Sequence, residues 1–446
     1  MTLGFLAALT RCGLKVAPFK VGPDFIDPGH HTRLAGNPSR NLDGWMLTKD
    51  YNLQCFVRSA AGVDVAVVEG VMGLFDGCDG KSELGSTAQM AKWLDLPVIL
   101  VVDAAGMARS AAAVVMGFEH FDPQLSYAGV VFNNLGSRRH RQYLLESLRE
   151  NIRMPCLGGI IRSADIEMPE RHLGLVTAED RPLDRDTAGR LADLIEESID
   201  LDLLMERLKE SRMPEQTGAV PNPRPKTVRI AVARDNAFCF YYADNLELLE
   251  AQGAEIVNFS PLTDHDLPPD SDGLYLGGGY PELYAKQLAE NRKLRKRIKT
   301  RSRSGMPIYG ECGGFMYLCE ALIDQGGRRY PMTGCFPLAA RMFPRLKALG
   351  YREIMLIRDT VIGNIGMTVR GHEFHYSELT RSPSDVSRAY RLSDRTGMDR
   401  PPEGYVSGNT LGSYNHLHFG SQPAAAGHFV NHCLDYRLRK GKLNAT

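Results

Sequence analysis

The sequence lacks the features that mark several common classes of protein. None of its nine cysteines forms a C-x-x-C pair, which argues against a zinc ribbon or a disulfide framework and favours a reducing cytoplasm. No apolar run approaches the ~20 residues of a membrane span, and the N-terminus has no signal-peptide pattern. Basic and acidic residues balance at 53 each, so charge favours neither nucleic acid nor a membrane as partner. These absences predict a cytoplasmic protein.

The chain is long enough for more than one domain. Its 446 residues exceed the length of a typical domain, so two or three domains are expected. Residues 211–227 contain four prolines and few apolar side chains, a composition typical of a linker. We therefore predict a first domain over 1–210, a linker over 211–227 and a second domain over 228–446.

The first domain shows the alternation of an α/β fold. A helical pattern over 1–14 is followed by strand patterns at 15–20, 63–69, 98–103 and 127–133, with helical patterns between them. Strands separated by helices predict a parallel sheet. In such sheets a ligand binds beyond the C-terminal ends of the strands, so the residues at those ends form the candidate site.

Acidic side chains follow two of these strands. Asp24 and Asp27 come after the first, close to Lys20, and Glu69 and Asp76 come at the end of the second. Carboxylates at several strand ends suit a Mg²⁺ ion and a polyphosphate, and the lysine suits a phosphate or a substrate carboxylate. Each aspartate is also an acceptable turn residue beside proline or glycine. That alternative explains one such residue better than it explains four acids at two strand ends.

The second domain contains a pattern typical of a catalytic cysteine. Residues 306–316 read M-P-I-Y-G-E-C-G-G-F-M, a short strand that turns through glycines into a helix and places Cys312 at the turn. The glycines permit the strained backbone of such a turn. The helix N-terminus is expected to lower the thiol pKa and to supply N–H donors for an oxyanion. A buried structural thiol is the alternative, and the flanking glycines disfavour it.

A glycine triplet lies one strand–helix unit before this cysteine. Residues 277–279 follow a strand pattern at 272–276, which predicts an oxyanion hole shared between Gly278 and Gly313. The layout resembles that of class I glutamine amidotransferases, which are cysteine hydrolases on an open α/β sheet.

Two histidine clusters compete to supply the base that a cysteine nucleophile needs. His375 lies in R-G-H-E-F-H-Y-S, which partly imitates the Phe-His-Pro-Glu setting of ordinary glutaminases. His416 lies in Y-N-H-L-H-F near the C-terminus, with His418 on the same side of the predicted strand. No carboxylate follows His416 two residues later, so a Cys–His pair without a third acid is expected if His416 is the base.

Four strings in the first domain resemble the cobyrinic acid a,c-diamide synthase family, whose members are amidotransferases of corrin biosynthesis. The strings are F-K-V-G-P-D-F-I-D-P-G-H-H (19–31), S-R-N-L-D-G-W-M-L (39–47), V-E-G-V-M-G-L-F-D-G (68–77) and P-E-R-H-L-G-L-V (169–176). The resemblance runs almost to the C-terminus. It implies a P-loop ATPase fold like that of dethiobiotin synthetase for the first domain and a class I glutamine amidotransferase fold for the second.

The resemblance also implies roles for individual residues. It favours His416 over His375 as the base for Cys312. Asn133 matches a position that contacts adenine. The positions that bind metal, phosphate or substrate are Lys20, Asp24, Asp27, Glu69 and Asp76, of which Asp24 and Glu69 are the predicted metal ligands.

One feature of the family is absent from the 446 residues. Family members carry a strand and a G-x-x-x-x-G-K-[ST] loop before the first helix, and this sequence contains no such loop. The loop cradles phosphates with backbone N–H groups, its lysine and its hydroxyl. A start codon assigned too far downstream and a truncated copy both explain the absence. We expect residues 1–446 to bind ATP poorly and to synthesise no amide.

The predicted function is ATP-dependent amidation of the a and c carboxylates of cobyrinic or hydrogenobyrinic acid, with glutamine as nitrogen donor and ammonia passing between domains. Nickel-sirohydrochlorin is an alternative substrate. A MinD-like ATPase switch is a rival that does not need Cys312. An RNA-binding protein that uses the basic run 292–303 is another rival, but a solvated helix face explains that run better. The sequence is also compatible with a homodimer.

Overall fold

A computed structural model describes residues 1–148, 152–162, 176–209, 224–380 and 386–444. The chain divides into two compact units, Met1–Gly218 and Ala219–Thr446. Most of the predicted linker 211–227 lies outside the described residues, so the linker and the exact domain limits stay predictions. Within the described ranges, no helix is long and apolar enough to cross a bilayer.

The N-terminal unit alternates helices with short strands, which confirms the predicted α/β class. Its elements are α1 (Thr2–Arg11), β1 (Val16–Val21), α2 (Ile26–Ala35), β2 (Arg40–Leu42), α3 (Lys49–Ala60), β3 (Val65–Glu69), α4 (Thr87–Leu94), β4 (Val98–Asp103), α5 (Ser110–Phe121), β5 (Tyr127–Leu135), α6 (Arg138–Leu148), β6 (Cys156–Ile161), α7 (Arg185–Ser198) and α8 (Leu201–Leu208).

The strands of this unit form two parallel sheets with the orders β2-β1-β3 and β4-β5-β6. Helix α1 packs against both. Phe5 and Ala8 lie in an apolar cluster with residues of β5 and β6, while Leu6 and Leu9 cluster with Val16 of β1. One helix therefore serves two sheets, which is why nearly all of its apolar side chains are buried.

The register of the first sheet sets up the acidic site. Lys20 near the end of β1 lies opposite Glu69, the last residue of β3. Helix α2 begins just after β1, and its last turn ends at Gly36, which has a φ of 70°. This left-handed conformation suits glycine and stops the helix. The strand ends and the start of α2 thus bring their polar side chains to one edge of the sheet.

The C-terminal unit is also α/β, but its second half is rich in antiparallel strands. Its elements are β7 (Val228–Ala233), α9 (Ala243–Ala251), β8 (Ala254–Phe259), β9 (Gly273–Leu276), α10 (Ala285–Glu290), α11 (Arg292–Arg303), β10 (Ile308–Glu311), α12 (Gly313–Leu318), β11 (Cys319–Ile323), β12 (Arg329–Pro331), β13 (Phe336–Met342), β14 (Ala348–Leu356), β15 (Thr368–His375), β16 (Ser377–Leu379), β17 (Ser387–Asp394), β18 (Asp399–Ser407), β19 (Thr410–Ser413), β20 (Asn415–Leu417), a 3₁₀ turn (Phe419–Ser421) and α13 (Ala424–Asn444).

A ten-stranded mixed sheet dominates this unit, in the order β20-β15-β14-β17-β18-β19-β10-β9-β7-β8. Strand β10 lies between β9 and β19 and is parallel to both. A smaller sheet has the order β12-β11-β13-β16. Apolar clusters form around Phe315 and Tyr317 and around Tyr275 and Tyr309, so β10 runs through the core and its C-terminal end is held firmly.

The basic run 292–303 forms α11. Leu294, Ile298 and Ser302 are its buried residues, and the basic side chains cover the remaining faces. Arg297 forms an exposed ion pair with Asp266, with an Nε–Oδ1 distance of 2.8 Å. This arrangement matches the predicted solvated helix face.

Candidate active site

The nucleophile elbow predicted at 306–316 is present. Strand β10 ends at Glu311, helix α12 begins at Gly313, and Cys312 between them has φ 47° and ψ −104°. The neighbouring glycines are required by space: a Cβ on Gly310 would lie 2.6 Å from a methyl of Leu318, and one on Gly314 would lie 2.1 Å from a backbone oxygen. The glycine pattern is therefore a packing requirement of this turn.

The environment of the thiol corrects one expectation. Burial raises the pKa of Cys312 well above its ordinary value, and the charge of Glu282 adds to the shift, while a hydrogen bond with the Gly313 backbone opposes it. The helix N-terminus was expected to lower this pKa, but α12 spans only six residues and desolvation of a thiolate outweighs it. Cys312 is therefore a thiol at neutral pH and needs a base to activate it.

His416 lies at the end of the sheet that carries the elbow. It sits on β20, pairs with His372 of β15 in register, and stacks on that ring with centroids 4.9 Å apart. A Cβ on Gly278 would lie 2.3 Å from its Cε1 atom. The amide of Cys312 donates to the carbonyl of Ser413 at 2.7 Å, three residues before His416. The elbow, the glycine loop and His416 thus come together at one end of the sheet.

The protonation state of His416 suits a base. Burial lowers the pKa of His416 well below its ordinary value, and the neighbouring imidazoles of His372 and His375 lower it further, while the charge of Glu373 acts in the opposite direction. A neutral imidazole can accept the proton of the Cys312 thiol.

His375, the competing histidine, is engaged at both ring nitrogens. Nδ1 lies 2.7 Å from the carbonyl of Ser377 and Nε2 lies 2.8 Å from Oε1 of Glu373. Both contacts lie within hydrogen-bond distance, so both ring nitrogens are engaged with groups of the same segment. The ring also stacks on Tyr414 with centroids 4.0 Å apart. This geometry supports a structural role for His375.

Glu373 is a half-buried charge that the sequence reasoning missed. Its carboxylate accepts from Arg352 Nε at 2.8 Å as well as from His375. Burial alone would raise the pKa of Glu373, but these two partners outweigh it and hold the pKa below its ordinary value. The acid next to His372 in R-G-H-E-F-H was the available signal.

The predicted oxyanion hole remains a prediction. The amide of Gly278 donates to the carbonyl of Phe240 at 3.2 Å, so this N–H must turn before it can reach an oxyanion. Gly313 lies close to the same loop, because a Cβ on it would meet the amide nitrogen of Gly279 at 3.1 Å. The loop 277–279 and the start of α12 are therefore in contact, as the prediction requires.

In the N-terminal unit the structure gathers three of the predicted carboxylates around the ammonium group of Lys20. Lys20 Nζ lies 2.6 Å from Asp27, 3.0 Å from Glu69 and 3.7 Å from Asp24. His31, buried behind them, lies 3.1 Å from the Glu69 carboxylate. Lys20 thus neutralises carboxylates of its own chain, which the sequence reasoning did not foresee.

The charged groups of this cluster shift one another's pKa values. Burial acts against it, yet the carboxylates of Glu69 and Asp27 raise the pKa of Lys20. Burial would raise the pKa of Glu69, but the nearby His31 ring and the charge of Lys20 lower it. Burial and the charge of Asp27 raise the pKa of Asp24 to about 6. The lysine stays protonated, while Asp24 gains and loses its proton near neutral pH.

Two predicted residues lie apart from this cluster. Asp76 is exposed and accepts from the amide of Gly73 at 3.0 Å, which is the turn role named as its alternative. Asn133 lies on β5 in the other sheet, opposite Asp103 of β4. The string 169–176 lies outside the described residues except for Val176, whose carbonyl is 2.8 Å from Nε2 of His30.

The carboxylates fit a magnesium ion in kind. Asp24 and Glu69 present hard oxygen donors, and Mg²⁺ is commonly held by one or two carboxylates together with substrate phosphates. Among the described residues, no three His, Cys, Asp or Glu side chains lie together in a way that could hold a metal ion. The protein therefore offers a partial ligand set here.

Comparison with known proteins extends these observations over the chain. Residues 1–176 match a family described as the CobQ/CobB/MinD/ParA nucleotide binding domain. Residues 229–424 match the CobB/CobQ-like glutamine amidotransferase domain. The N-terminal unit thus carries a nucleotide-binding domain, and the unit with the Cys312 elbow carries a glutamine amidotransferase domain.

Relatives share both domains. Cobyrinate a,c-diamide synthase of Syntrophotalea carbinolica is 45% identical over 97% of this chain and 95% of that protein. Those of Dehalococcoides mccartyi and Leptospira interrogans are 41% and 40% identical over 97% of this chain and 95% of each protein. Identity at this level across both units, together with the elbow and the acidic strand ends, shows that the chain belongs to the cobyrinate a,c-diamide synthase family.

Proposed function

We propose that the protein amidates the a and c carboxylates of cobyrinic acid, using ATP to activate each carboxylate and glutamine as the nitrogen donor. The observation that supports the proposal is the elbow, where the buried thiol of Cys312 and neutral His416 lie at the same end of the sheet. Hydrogenobyrinic acid and nickel-sirohydrochlorin are alternative acids for the same chemistry. A cytoplasmic location and a homodimer belong to the same proposal.

The glutaminase half-reaction starts from a neutral imidazole at His416 and a protonated thiol at Cys312. His416 takes the thiol proton as Cys312 attacks the amide carbon of glutamine. The oxyanion is stabilised by the amide of Gly313 and, once it turns from the carbonyl of Phe240, by the amide of Gly278. The imidazolium then returns the proton to the leaving nitrogen, which departs as ammonia and leaves a thioester. Water hydrolyses the thioester to glutamate and restores the thiol.

The synthetase half-reaction belongs to the N-terminal unit. The γ-phosphate of ATP is transferred to a substrate carboxylate to form an acyl phosphate, and ammonia displaces phosphate to form the amide. Mg²⁺ would be held by Asp24 and Glu69 and would offset phosphate charge. Lys20 and Asp27 would orient phosphate or substrate, Asn133 would contact adenine, and the turn that holds Asp76 would lie beside them.

The proposal is tested with Cys312→Ala. In an enzyme that also carries the G-x-x-x-x-G-K-[ST] loop absent from residues 1–446, this variant should lose glutamine-dependent amidation and keep amidation from added ammonia, because only the nitrogen supply is removed. Cys433→Ala, which removes a buried thiol elsewhere in the same unit, should keep both activities. Loss of both activities in a folded Cys312→Ala protein would count against separate glutaminase and synthetase sites. Mass detection of one or two amidations on each of the three acids identifies the substrate.

A further inference from the structure

His416 has no carboxylate two residues later to orient it. That position holds His418, whose Nδ1 accepts from the amide of Gly420 at 3.1 Å. Strand β20 is only three residues long, so its own ladder gives the imidazole little support. Something else must hold the backbone around His416, and two buried carboxylates contact it from either side.

Glu311 holds the residue after His416. It is 1% exposed, and its Oε1 atom accepts from the amide of Leu417 at 3.0 Å and from the hydroxyl of Tyr309 at 2.6 Å. Its Oε2 atom accepts from the hydroxyl of Tyr275 at 2.9 Å. The residue before the nucleophile therefore binds the residue after the base.

Glu403 holds the residues before His416. It lies on β18 and is 8% exposed. Its Oε1 atom accepts from the amide of Tyr414 at 2.6 Å, and its Oε2 atom accepts from Asn415 Nδ2 at 2.9 Å and from the hydroxyl of Ser413. Ser413 in turn receives the amide of Cys312 on its carbonyl.

We propose that Glu311 and Glu403 form a carboxylate clamp that fixes residues 413–417 and so positions His416 over Gly278 beside Cys312. They are positioning residues that replace the third acid of a catalytic triad, and the inference rests on the proposed role of His416. Buried carboxylates suit this task, because charge-assisted hydrogen bonds are strong and directional. A buried carboxylate that lacks some of its donors is costly, so the donors stay in place. Six donors share the two clamp carboxylates.

The donor sets predict different responses to amide substitution. In Glu311→Gln the amide oxygen can keep Tyr309 and Leu417, and the amide nitrogen can donate to the phenol oxygen of Tyr275, which is free to rotate its hydrogen. In Glu403→Gln one orientation places the NH₂ group against the N–H of Tyr414. The other places it against Asn415 Nδ2 unless the Asn415 amide rotates, which would also remove its NH₂ group from Ser413. A glutamine therefore serves at 311 and fails at 403.

The experiment measures glutamine hydrolysis by the full chain. We expect Glu403→Gln and Glu311→Ala to lower kcat by about 10²-fold, since a displacement near 1 Å costs about that much, with KM for glutamine little changed. Glu311→Gln should recover most of the loss seen in Glu311→Ala. Ser413→Ala, which removes one clamp donor, serves as a milder variant should Glu403→Gln not fold. Asp272→Asn removes a buried carboxylate that binds the Arg229 amide at the other end of β9 and should leave kcat unchanged.

A second readout separates this inference from the proposed function. Alkylation of Cys312 by iodoacetamide, followed on its peptide by mass spectrometry, depends on His416 but needs no glutamine turnover. Slower alkylation in Glu403→Gln and Glu311→Ala supports the clamp whether or not the wild type hydrolyses glutamine. Absence of glutamine hydrolysis by the wild type would instead overturn the proposed function. Wild-type rates of alkylation and hydrolysis in folded Glu403→Gln, Glu311→Ala and Ser413→Ala overturn the clamp.

Discussion

The ring of His416 lies so close to Gly278 that a Cβ at position 278 would stand 2.3 Å from the Cε1 atom of the imidazole. Contacts between heavy atoms at that distance are excluded, so any side chain at 278 must displace either the loop or the imidazole. The glycine is required here for close approach rather than for an unusual φ angle.

We therefore predict that Gly278→Ala lowers kcat for glutamine hydrolysis by about 10²-fold, because the base is displaced from the thiol. Gly441→Ala is the matched control, since nothing lies within 4 Å of a Cβ built on Gly441, and it should keep full activity. A Gly278→Ala protein with wild-type turnover would show that the imidazole can move at no cost.

We expect substitution of His416 to affect catalysis and substitution of His375 to affect stability. His416→Ala is expected to reduce glutamine hydrolysis by about 10²- to 10⁴-fold, the range for loss of a general base. His375→Ala should act mainly on stability, because it removes a partner of the ion pair formed by Glu373 and Arg352, which is largely shielded from solvent. Turnover and thermal melting of both variants check the assignment, and a dead His375→Ala beside an active His416→Ala would reverse it.

The stability of the C-terminal unit should depend on the protonation of Glu311. Burial raises the pKa of Glu311 from 4.5 to about 7, against the hydrogen bonds that it accepts. A raised pKa means that the folded state binds the proton more tightly, so this stabilisation is fully present below pH 4.5 and is lost as pH rises through about 7. Relative to Glu311→Gln, the free energy of unfolding of the wild type should fall by about 3 kcal/mol between pH 4.5 and 8.

Hydrogen exchange of peptides from 228–444, measured for both proteins at pH 5 and pH 8, detects this difference within that unit. Wild-type and Glu311→Gln stabilities that run parallel over this range would show that Glu311 does not take up a proton on folding.

Lys20 should be essential for the stability of the N-terminal unit. Its side chain is 8% exposed and its three carboxylate partners are 24–30% exposed. Lys20→Met leaves three carboxylates facing one another, which should cost about 2–3 kcal/mol, less than the 3–5 typical of a fully buried pair. Lys49→Met, at an exposed position on α3, is the control.

The two tryptophans make this measurement selective. Trp45 and Trp93 both lie in the N-terminal unit, so their fluorescence during urea unfolding reports that unit alone. Millimolar Mg²⁺ should restore part of the lost stability if the carboxylates can bind it, since a cation would replace the ammonium. Equal unfolding midpoints for Lys20→Met and wild type would refute the prediction.

Two features could be predicted from the sequence, because they follow from local steric limits and from the positions of strand ends. The elbow at Cys312 was predictable because the turn itself demands the glycines around it. The cluster of Lys20, Asp24, Asp27 and Glu69 was predictable because parallel strands bring their C-terminal ends to one edge. The ion pairs between Lys20 and these carboxylates could not be predicted, because a sequence does not show whether a lysine pairs with a bound phosphate or with carboxylates of its own chain.

The rest depends on contacts between distant parts of the chain. Glu311 reads as a spacer between glycine and cysteine, yet its partner Leu417 is 106 residues away. The raised pKa of Cys312 comes from tertiary burial, which outweighs the local effect of a short helix. The antiparallel half of the large sheet was not predicted either, and it supplies Glu403 on β18. The contacts at both ring nitrogens of His375 and the close approach of His416 to Gly278 are likewise visible only in the folded chain.

The backbone of Cys312 has a consequence for how this protein tolerates change. A non-glycine residue at φ 47° and ψ −104° costs on the order of 1–3 kcal/mol, and glycine would relieve that cost. Random substitution under selection for folding alone would therefore favour losing the nucleophile. In a lineage that no longer needs ammonia from glutamine, we expect Cys312 to be the first active-site residue to be replaced. Its replacement would leave a more stable fold without glutaminase activity.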